Sequence, residues 1–216
     1  MNDSLKKLKY FISIFLFCAC TTSVDSFHLQ TGDLLFQVGK DSMSDAIARV
    51  TVGESNINYT HVGIVLIEND TIFVIEAISS GVSKTLLDTF LLRSAHLEEK
   101  PIVAVGRLKQ EYREFIPQAL IRAQNLLGKP YDFVFDSDND AYYCSELVEV
   151  SFLDRHNMPI FEPISMNFRD VDGNLPTYWI EHFEKHNAVI PENCMGSNPS
   201  DLSKSDKIEI VYRYFK

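Results

Sequence analysis

Basic residues are scarce in this chain relative to acidic ones, and the imbalance limits what the protein is expected to bind. The 216 residues include 20 lysines and arginines against 30 aspartates and glutamates, and the formal net charge is -10 at pH 7. A protein this acidic repels the phosphate backbone of DNA and RNA. We therefore expect no nucleic acid partner.

Long apolar runs, repeats and clustered glycines are also lacking. The apolar run near the N-terminus, residues 10–17, is too short to cross a membrane as a stable helix. No repeat or low-complexity tract is present, which sets aside solenoids and disordered tails. Gly32 and Gly63 are isolated and do not form a phosphate-binding loop. The remaining expectation is an ordinary globular domain.

The N-terminus has the pattern of an export signal. Three lysines precede the apolar run, and Cys20 follows the run within three residues. This order predicts a lipoprotein signal over residues 1–20, in which Cys20 is lipidated and becomes the mature N-terminus. We therefore expect a protein of the cell envelope, anchored by its lipid to a membrane on the periplasmic or outer-membrane face.

One residue of this signal departs from the usual pattern. Phe17 stands three positions before Cys20, where leucine is usual. Cleavage near Ser23 without a lipid is the alternative. In either case residues 21–29 are predicted to form a short tether to the domain that follows.

Export leaves two of the four cysteines to be explained, because Cys18 is lost with the signal and Cys20 is the lipidation site. In an oxidising compartment Cys144 and Cys194 could pair, or one could be a working thiol and the other a bystander. Cys194 lies in a predicted loop, and we interpret it as the bystander.

The remainder, residues 30–216, contains no linker and is predicted to form a single α+β domain. Residues 60–68 and 71–77 are rich in Val, Ile and Phe and flank Asn69-Asp70, which predicts a β-hairpin. Further strands are predicted at residues 34–38, 101–108 and 207–215, and helices at 45–50, 110–127, 179–186 and from about residue 144, while residues 82–92 begin as a strand and end as a helix. This order favours an antiparallel sheet packed against helices.

Cys144 lies at the predicted start of a helix, with Leu147 and Val148 on the same face. The positive end of the helix dipole stabilises a thiolate, which is the nucleophilic form of cysteine. The N–H groups of the first turn are also suited to binding a developing oxyanion. Considered alone, the position is equally typical of a buried structural cysteine.

His61 and Glu76 are polar residues in otherwise apolar strands of the predicted hairpin. A cysteine nucleophile needs an imidazole to exchange protons with it and with the leaving group, a role that suits His61. Glu76 lies about as far beyond the turn as His61 lies before it, so the two can meet across the hairpin. Glu76 would then accept the imidazole N–H and orient the ring. The alternatives are an inert histidine at a strand end and a glutamate that faces water.

Five segments occur in a characteristic order: residues 32–36 (Gly-Asp-Leu-Leu-Phe), 60–64 (Thr-His-Val-Gly-Ile), 75–77 (Ile-Glu-Ala), 128–132 (Gly-Lys-Pro-Tyr-Asp) and 143–147 (Tyr-Cys-Ser-Glu-Leu). Together they resemble the permuted papain-like amidases of the YiiX type, in the NlpC-like superfamily of cell-wall cysteine peptidases. Ordinary papain-like enzymes place the cysteine before the histidine. Here the order is histidine, acid, cysteine, as in the circularly permuted branch.

The resemblance covers about residues 30–155 and implies both fold and chemistry. It implies a circularly permuted papain-like fold and a triad of Cys144, His61 and Glu76, with Tyr131 similar in placement to a tyrosine that shapes the active-site entrance. It also implies hydrolysis of a peptide or N-acyl amide bond through a thioester. The expected substrate is a peptide, a peptidoglycan fragment or a lipid-linked molecule. Residues 157–206 match weakly, so their role is not implied.

Two other functions stay open on the sequence alone. One is a lipid acyltransferase or thiol lipid hydrolase, similar to the lecithin:retinol acyltransferase branch. The other is a lipid-anchored binding module that kept the fold without catalysis.

No metal or other cofactor is expected. Residues 136–140 begin like a calcium loop, but Ala141 and Leu147 stand where Gly and Glu are required. His182 and His186 are four apart on a predicted helix, but Phe183 replaces the glutamate of the zinc-protease pattern. We interpret these histidines as a surface pair.

Overall fold

The computed structural model describes residues 27–216. The predicted signal, Cys20 and most of the predicted tether lie outside the described residues. The helices are α1 (Ser42–Val50), α2 (Leu87–Leu92), α3 (Ile116–Asn125), α4 (Cys144–Ser151), α5 (Thr177–Lys185) and α6 (Pro199–Ser203). The strands are β1 (Leu34–Gln37), β2 (His61–Glu68), β3 (Thr71–Ile78), β4 (Gly81–Leu86), β5 (His96–Leu97), β6 (Lys100–Pro101), β7 (Val103–Leu108), β8 (Ile164–Ser165), β9 (Met195–Gly196) and β10 (Ile208–Arg213).

A six-stranded antiparallel sheet forms the centre of the fold. Its strand order is β10-β7-β1-β2-β3-β4, and the short strands pair separately as β5-β6 and β8-β9. Strands β2 and β3 form the predicted hairpin, with Glu68 opposite Thr71. Asn69 and Asp70 both adopt positive φ angles, as a tight two-residue turn of this kind requires.

The two faces of the sheet carry separate hydrophobic clusters because side chains alternate along each strand. On one face, residues such as Phe36 and Ile64 pack against α3 and α4. On the other face, Leu35 and Val65 pack against Phe90 of α2. The functional helix α4 is therefore held against β2 and β3 by buried apolar contacts.

A third apolar cluster lies between α1, α5 and the segment before α5. It is rich in aromatic side chains and includes Phe168, Trp179 and Phe183, all buried. Apart from the residues of α1, its buried members fall within residues 157–206, whose role the sequence left open. The cluster lies beside the functional helix, since Phe135 packs edge-on against both Tyr143 and Trp179.

The predicted helix over residues 110–127 differs from the observed one. Residues Gln110–Phe115 form a 3-10 helix, and the α-helix begins only at Ile116. Pro117 has no N–H, so the α-helical hydrogen bond that it would donate to Arg113 cannot form. The tighter turn ahead of the proline is the consequence.

The end of the predicted tether packs on the domain. The Phe27 ring stacks on Tyr212 with 4.3 Å between ring centroids, and the Arg107 guanidinium lies over the same Phe27 ring. Leu29 contacts the second apolar cluster. Residues 27–29 therefore belong to the folded unit in this structure. None of the helices in residues 27–216 is both long and apolar enough to cross a membrane.

Candidate active site

Cys144 is the first residue of α4, as the sequence predicted. The preceding residue, Tyr143, is extended (ψ 170°), and its N–H donates a hydrogen bond to Glu146 Oε2 at 3.3 Å. This side-chain cap starts the helix at the cysteine. Leu147 and Val148 are fully buried and fix the helix against the sheet. Cys144 is 5% exposed and makes no disulfide, and Cys194 is also free.

His61 and Glu76 meet across the hairpin. His61 is the first residue of β2, and its Nε2–H donates a hydrogen bond to Glu76 Oε2 at 2.6 Å. Glu76 is completely buried. The Cys144 side chain lies in the same cleft, close enough to His61 to raise the pKa of the imidazole. The structure thus brings the three predicted residues together in the order cysteine, histidine, carboxylate.

Gly63 makes room for this contact. It lies two residues after His61 on the same strand, and a Cβ built there would be 3.3 Å from Glu76 Cβ and only 2.4 Å from Val74 Cγ1. The distance to Val74 Cγ1 is far below that of any non-bonded carbon–carbon contact. A side chain at this position would push β3 away from β2 and separate the glutamate from the histidine.

Arg93 holds the other oxygen of the buried carboxylate. Its Nη2 donates to Glu76 Oε1, while the His61 ring donates to Oε2. Both oxygens of Glu76 therefore have a cationic or N–H donor, which makes complete burial of the carboxylate tolerable. Arg93 was missed on the sequence, because it follows α2 in a region with no pattern that links it to residue 76.

The charge states of His61 and Glu76 are coupled. Burial favours the neutral imidazole, but the hydrogen bonds and charges of Cys144 and Glu76 outweigh it and raise the pKa of His61 to about 10. Burial also opposes ionisation of Glu76, yet the His61 hydrogen bond and the charges of His61 and Arg93 lower the pKa of this carboxyl below its usual value. The site therefore favours an imidazolium next to the cysteine sulfur at neutral pH.

Glu146 caps the helix without placing a full negative charge beside the cysteine. Burial raises the pKa of Glu146 to about 8 against the lowering effect of the Tyr143 N–H, and nearby Asp132 and Glu149 raise it further. At pH 7 the carboxyl is mostly neutral. Its capping role is kept, and repulsion of a thiolate two residues away is small.

Tyr131 lies close to the cysteine, and both residues line the same cleft. Burial raises the pKa of Tyr131 well above its usual value, and the charge of Cys144 raises it further. The Tyr131 ring packs against Phe133 with 4.8 Å between centroids, and its hydroxyl lies 3.8 Å from Met43 Sδ. Tyr131 lines two cavities, of about 370 and 60 Å³, and Cys144 lines both of them as well.

A cleft of about 370 Å³ opens onto the thiol. Its walls include His61 and Cys144, the cationic side chains Lys40 and Arg93, and the aromatic ring of Phe133. The size is sufficient for a small organic ligand. At its base, the first N–H groups of α4 have no acceptor within the helix, which suits them to bind an oxyanion that forms on a carbonyl attacked by the thiol.

His182 in α5 and His186, which directly follows that helix, are not the surface pair that the sequence indicated. His182 is buried, and its Nε2 lies 2.6 Å from the carbonyl oxygen of Phe133. Burial, with the charges of His186 and Lys185, lowers the pKa of His182 in spite of that hydrogen bond. The His186 ring stacks on Phe133 at 4.9 Å. The pair supports the aromatic wall of the cleft, which its i, i+4 spacing could not reveal.

Metal-ligating side chains do not cluster in the part of the chain that the structure describes. Among residues 27–216 no group of three or more His, Cys, Asp or Glu is placed to hold a metal ion. In the acidic loop, Asp140 instead forms an ion pair with Lys129.

Comparison with known sequences agrees with the family resemblance seen in the five ordered segments. Residues 28–212 match the model of a family described as permuted papain-like amidase enzymes, YaeF/YiiX, C92 family. The uncharacterized protein YiiX of Escherichia coli strain K12 is 32% identical over 165 residues, which cover 75% of each chain.

Comparison with solved structures extends the similarity to the fold. The crystal structure of metalloprotein yiiX from Escherichia coli O157:H7 superposes with a TM-score of 0.70 at 26% identity, over 87% of this chain and 98% of that one. The likeness thus covers nearly the whole length of the solved protein. The predicted permuted papain-like α+β fold is confirmed.

Proposed function

Because this chain belongs to the family of permuted papain-like amidases, whose model spans nearly all of the described residues, we propose that it is a cysteine hydrolase that cleaves an amide bond through a thioester. The observation that carries the proposal is the position of His61. Its ring is hydrogen-bonded to the buried Glu76 carboxylate, and it lines the same cleft as Cys144, which lies at the start of a helix. This is the relation of nucleophile, base and orienting group that covalent acyl transfer needs.

In the first half of the reaction Cys144 is the nucleophile. The sulfur of the thiolate attacks the substrate carbonyl carbon, and the carbonyl oxygen becomes an oxyanion that accepts hydrogen bonds from the first N–H groups of α4. The C–N bond then breaks as the His61 imidazolium gives its proton to the leaving amine. A thioester on Cys144 and a free amine result.

Water completes the reaction. The neutral His61 left by the first step takes a proton from a water molecule, and the oxygen attacks the thioester carbonyl. The C–S bond breaks, the carboxylic acid is released, and the thiolate–imidazolium pair is restored. Each proton transfer in this scheme uses the same imidazole, which returns to its starting state after one turnover.

Glu76 and Arg93 act through His61. The carboxylate accepts the imidazole N–H and stabilises the positive ring, and Arg93 fixes the carboxylate from its other side. Neither side chain needs to touch the substrate in this scheme. Both are positioning residues, and Cys144 and His61 are the catalytic ones.

The substrate that we propose is a peptide or N-acyl amide, with a cell-wall peptide as the first class to test. The superfamily that the chain resembles supports this choice. The predicted lipid anchor at Cys20 would place the enzyme at a membrane of the cell envelope, where such peptides occur. The 370 Å³ cleft, whose walls include Lys40, Asp41 and the Phe133 ring, has the size and polarity for a peptide segment.

The direct test is hydrolysis of muropeptides and N-acyl amino acids by the purified protein and three variants. Cys144→Ala should abolish hydrolysis, and His61→Ala should lower its rate by about 10²- to 10⁴-fold, the usual contribution of a general acid–base. Cys194→Ala is the matched control and should keep full activity, because Cys194 is exposed and does not line the cleft. Equal activity of the Cys144 and Cys194 variants would contradict the proposal. Acyl transfer from phospholipid without amide cleavage would favour the acyltransferase alternative.

A second measurement asks whether the thiol is activated, whatever the substrate. Iodoacetamide should alkylate the buried Cys144 faster than the exposed Cys194 at pH 6, where a free thiol is about 99% protonated. The difference should disappear in His61→Ala. If Cys194 reacts faster in the unmodified protein, Cys144 is an ordinary buried thiol and the binding-module alternative leads.

A further inference from the structure

Two cationic side chains line the cleft on the side of His61. Both Arg93 and Lys40 form part of the cleft wall. The Lys40 Nζ donates a hydrogen bond of 3.2 Å to the carbonyl oxygen of Leu92, the residue directly before Arg93. The ammonium and the guanidinium therefore belong to the same wall. Their charge is opposite in sign to that of the whole chain, which has a formal net charge of -10.

Arg93 is held beside the imidazole and is still accessible from the cleft. Arg93 and His61 donate to the two oxygens of one carboxylate, that of Glu76. Two hydrogen bonds and the width of a carboxylate bring the two donor nitrogens within roughly 8 Å of each other. The Arg93 side chain is 36% exposed, whereas Glu76 is fully buried. Within residues 27–216, Nη2 binds Glu76 and Nε is buried without a partner, which leaves Nη1 as the accessible donor.

The acidic residue of the cleft wall, Asp41, faces a different part of the cleft. Its carboxylate accepts a hydrogen bond of 2.8 Å from the Ser44 N–H and caps α1. Burial raises the pKa of Tyr131 and of Tyr178, and the negative charge of Asp41 adds to both shifts, so this carboxylate lies toward the two tyrosines. The cleft is therefore polarised, with its cations on the side of His61 and its acid near the tyrosines.

The chemistry decides which part of a substrate meets the two cations. In the proposed reaction the leaving amine receives its proton from His61, so the amine and its substituents lie on the His61 side of the cleft. An amino acid that leaves through its α-amine carries a carboxylate one carbon away from the nitrogen. Arg93 and Lys40 are on the wall that such a carboxylate would face, and hydrogen bonds between a guanidinium and a carboxylate are among the stronger ones in proteins.

We propose that Arg93 and Lys40 form a carboxylate-binding subsite for the leaving group, so that the enzyme releases a free amino acid from an N-acyl amino acid or from the C-terminus of a peptide. An amide bond inside a longer chain presents a neutral amide at this position and is the poorer substrate. This inference rests on the proposed cysteine hydrolase function and defines the substrate class of the same site.

The test uses the leaving-group site in the reverse direction. p-Nitrophenyl acetate acylates Cys144 and releases p-nitrophenolate. An added amine then attacks the thioester carbon, its proton passes to neutral His61, the C–S bond breaks, and the N-acetyl product is measured by mass spectrometry. Glycine and glycinamide compete as amines, and each yield is divided by that of the same amine with S-acetyl-N-acetylcysteine, which removes their difference in basicity. Glycine should exceed glycinamide by about fivefold, as expected for a partly exposed ion pair.

Substitutions of lysine assign the preference to the cationic wall. Lys40→Met removes the charge and keeps the length of the side chain, so it should lower the glycine preference by about threefold. Lys40→Arg restores the charge and should restore most of the preference. Lys84→Met is the matched control, since Lys84 pairs with Glu68 outside the cleft wall, and it should leave the preference unchanged. Arg93 is kept in all variants because it also fixes Glu76.

The outcomes separate this inference from the function on which it rests. If Cys144 is acetylated but the two amines give equal normalised yields, or no N-acetyl product, the carboxylate subsite is wrong and the cysteine hydrolase stands. An unchanged glycine preference in Lys40→Met would also overturn the subsite. A higher normalised yield with 2-aminoethyl phosphate than with glycine would replace the carboxylate by a phosphate-bearing leaving group. If p-nitrophenyl acetate does not acylate Cys144 and iodoacetamide also labels it slowly, the proposed function itself fails.

Discussion

At the scale of single residues, the charge of His61 is the property on which the proposed chemistry depends. A histidine this well enclosed would ordinarily be neutral, because burial disfavours the imidazolium. Here two neighbours reverse the balance: Cys144 and Glu76 raise the pKa of His61 to about 10. The histidine is thus held ready to protonate a leaving group, and only later acts as a base.

This balance predicts the direction in which His61 titrates in variants. Cys144→Ala removes one hydrogen bond and one charge that raise the pKa, while burial still lowers it, so the pKa of His61 should fall. Glu76→Gln should shift it in the same direction, since the carboxylate charge is lost. NMR of ¹⁵N-histidine-labelled protein between pH 5 and 11 measures the shift, with Cys194→Ala as the unshifted control. An unchanged His61 titration in Cys144→Ala would mean that the thiol and the imidazole are not coupled.

At the scale of secondary-structure elements, the β2–β3 hairpin is the frame of the site. Its tight turn and the pairing of Glu68 with Thr71 fix the register of the two strands. That register places Glu76 opposite Gly63 and within hydrogen-bond distance of His61, two residues earlier on β2. A shift of one residue would move Glu76 to the opposite face of the sheet, since side chains alternate.

Gly63→Ala is predicted to damage the hairpin and the site together. The added Cβ would lie 2.4 Å from Val74 Cγ1, and overpacking of this kind typically costs about 1–3 kcal/mol of unfolding free energy. Val74→Ala removes the atom that is struck. The double variant should therefore lose less stability than the sum of the two single losses in urea unfolding. Strictly additive losses would show that the two side chains do not meet.

The β2–β3 hairpin and the start of α4 could be predicted from the sequence. The hairpin and its Asn69-Asp70 turn were predicted because alternating apolar strands around a two-residue turn leave a strong local pattern. The start of α4 at Cys144 was predicted from the apolar face that follows it. The 3-10 segment before Ile116 was not, because an apolar stripe with a helical period does not reveal that Pro117 removes a backbone hydrogen bond.

At the scale of the whole molecule, the predicted export signal would determine where the protein acts. Residues 1–20 lie outside the described structure, so this expectation depends on the sequence pattern alone. Lipidation at Cys20 would leave the domain tethered close to a membrane surface, with residues 27–29 already packed on the sheet. The domain would then act within a short distance of that membrane.

Lipidation is tested by metabolic labelling with an alkyne fatty acid. The unmodified protein should be labelled, Cys20→Ala should not be, and Cys18→Ala should serve as the matched control that keeps its label. Globomycin, which blocks cleavage of lipoprotein signals, should cause a larger precursor to accumulate. A mature protein that begins near Ser23, without label and insensitive to globomycin, would replace the lipoprotein by a secreted form.

The sequence by itself determined most of the longer elements and the identity of the chemical groups, whereas α6 and the short strands β5, β8 and β9 were not predicted. Hydrophobic period, turn residues and the position of a cysteine at a helix start are local properties, and the ordered segments from residue 32 to residue 147 were sufficient to indicate the permuted papain-like family. They also predicted that His61, Glu76 and Cys144 belong together.

Only the tertiary structure decided how those groups are supported and what lies beside them. Arg93 reaches Glu76 because Phe90 of α2 packs on the face of the sheet that carries Leu35 and Val65. A second cavity of about 60 Å³ lies beside Cys144, and Trp179, which is distant in the chain, forms part of its wall. Such contacts depend on which elements come to lie together in space, a property that no local pattern contains.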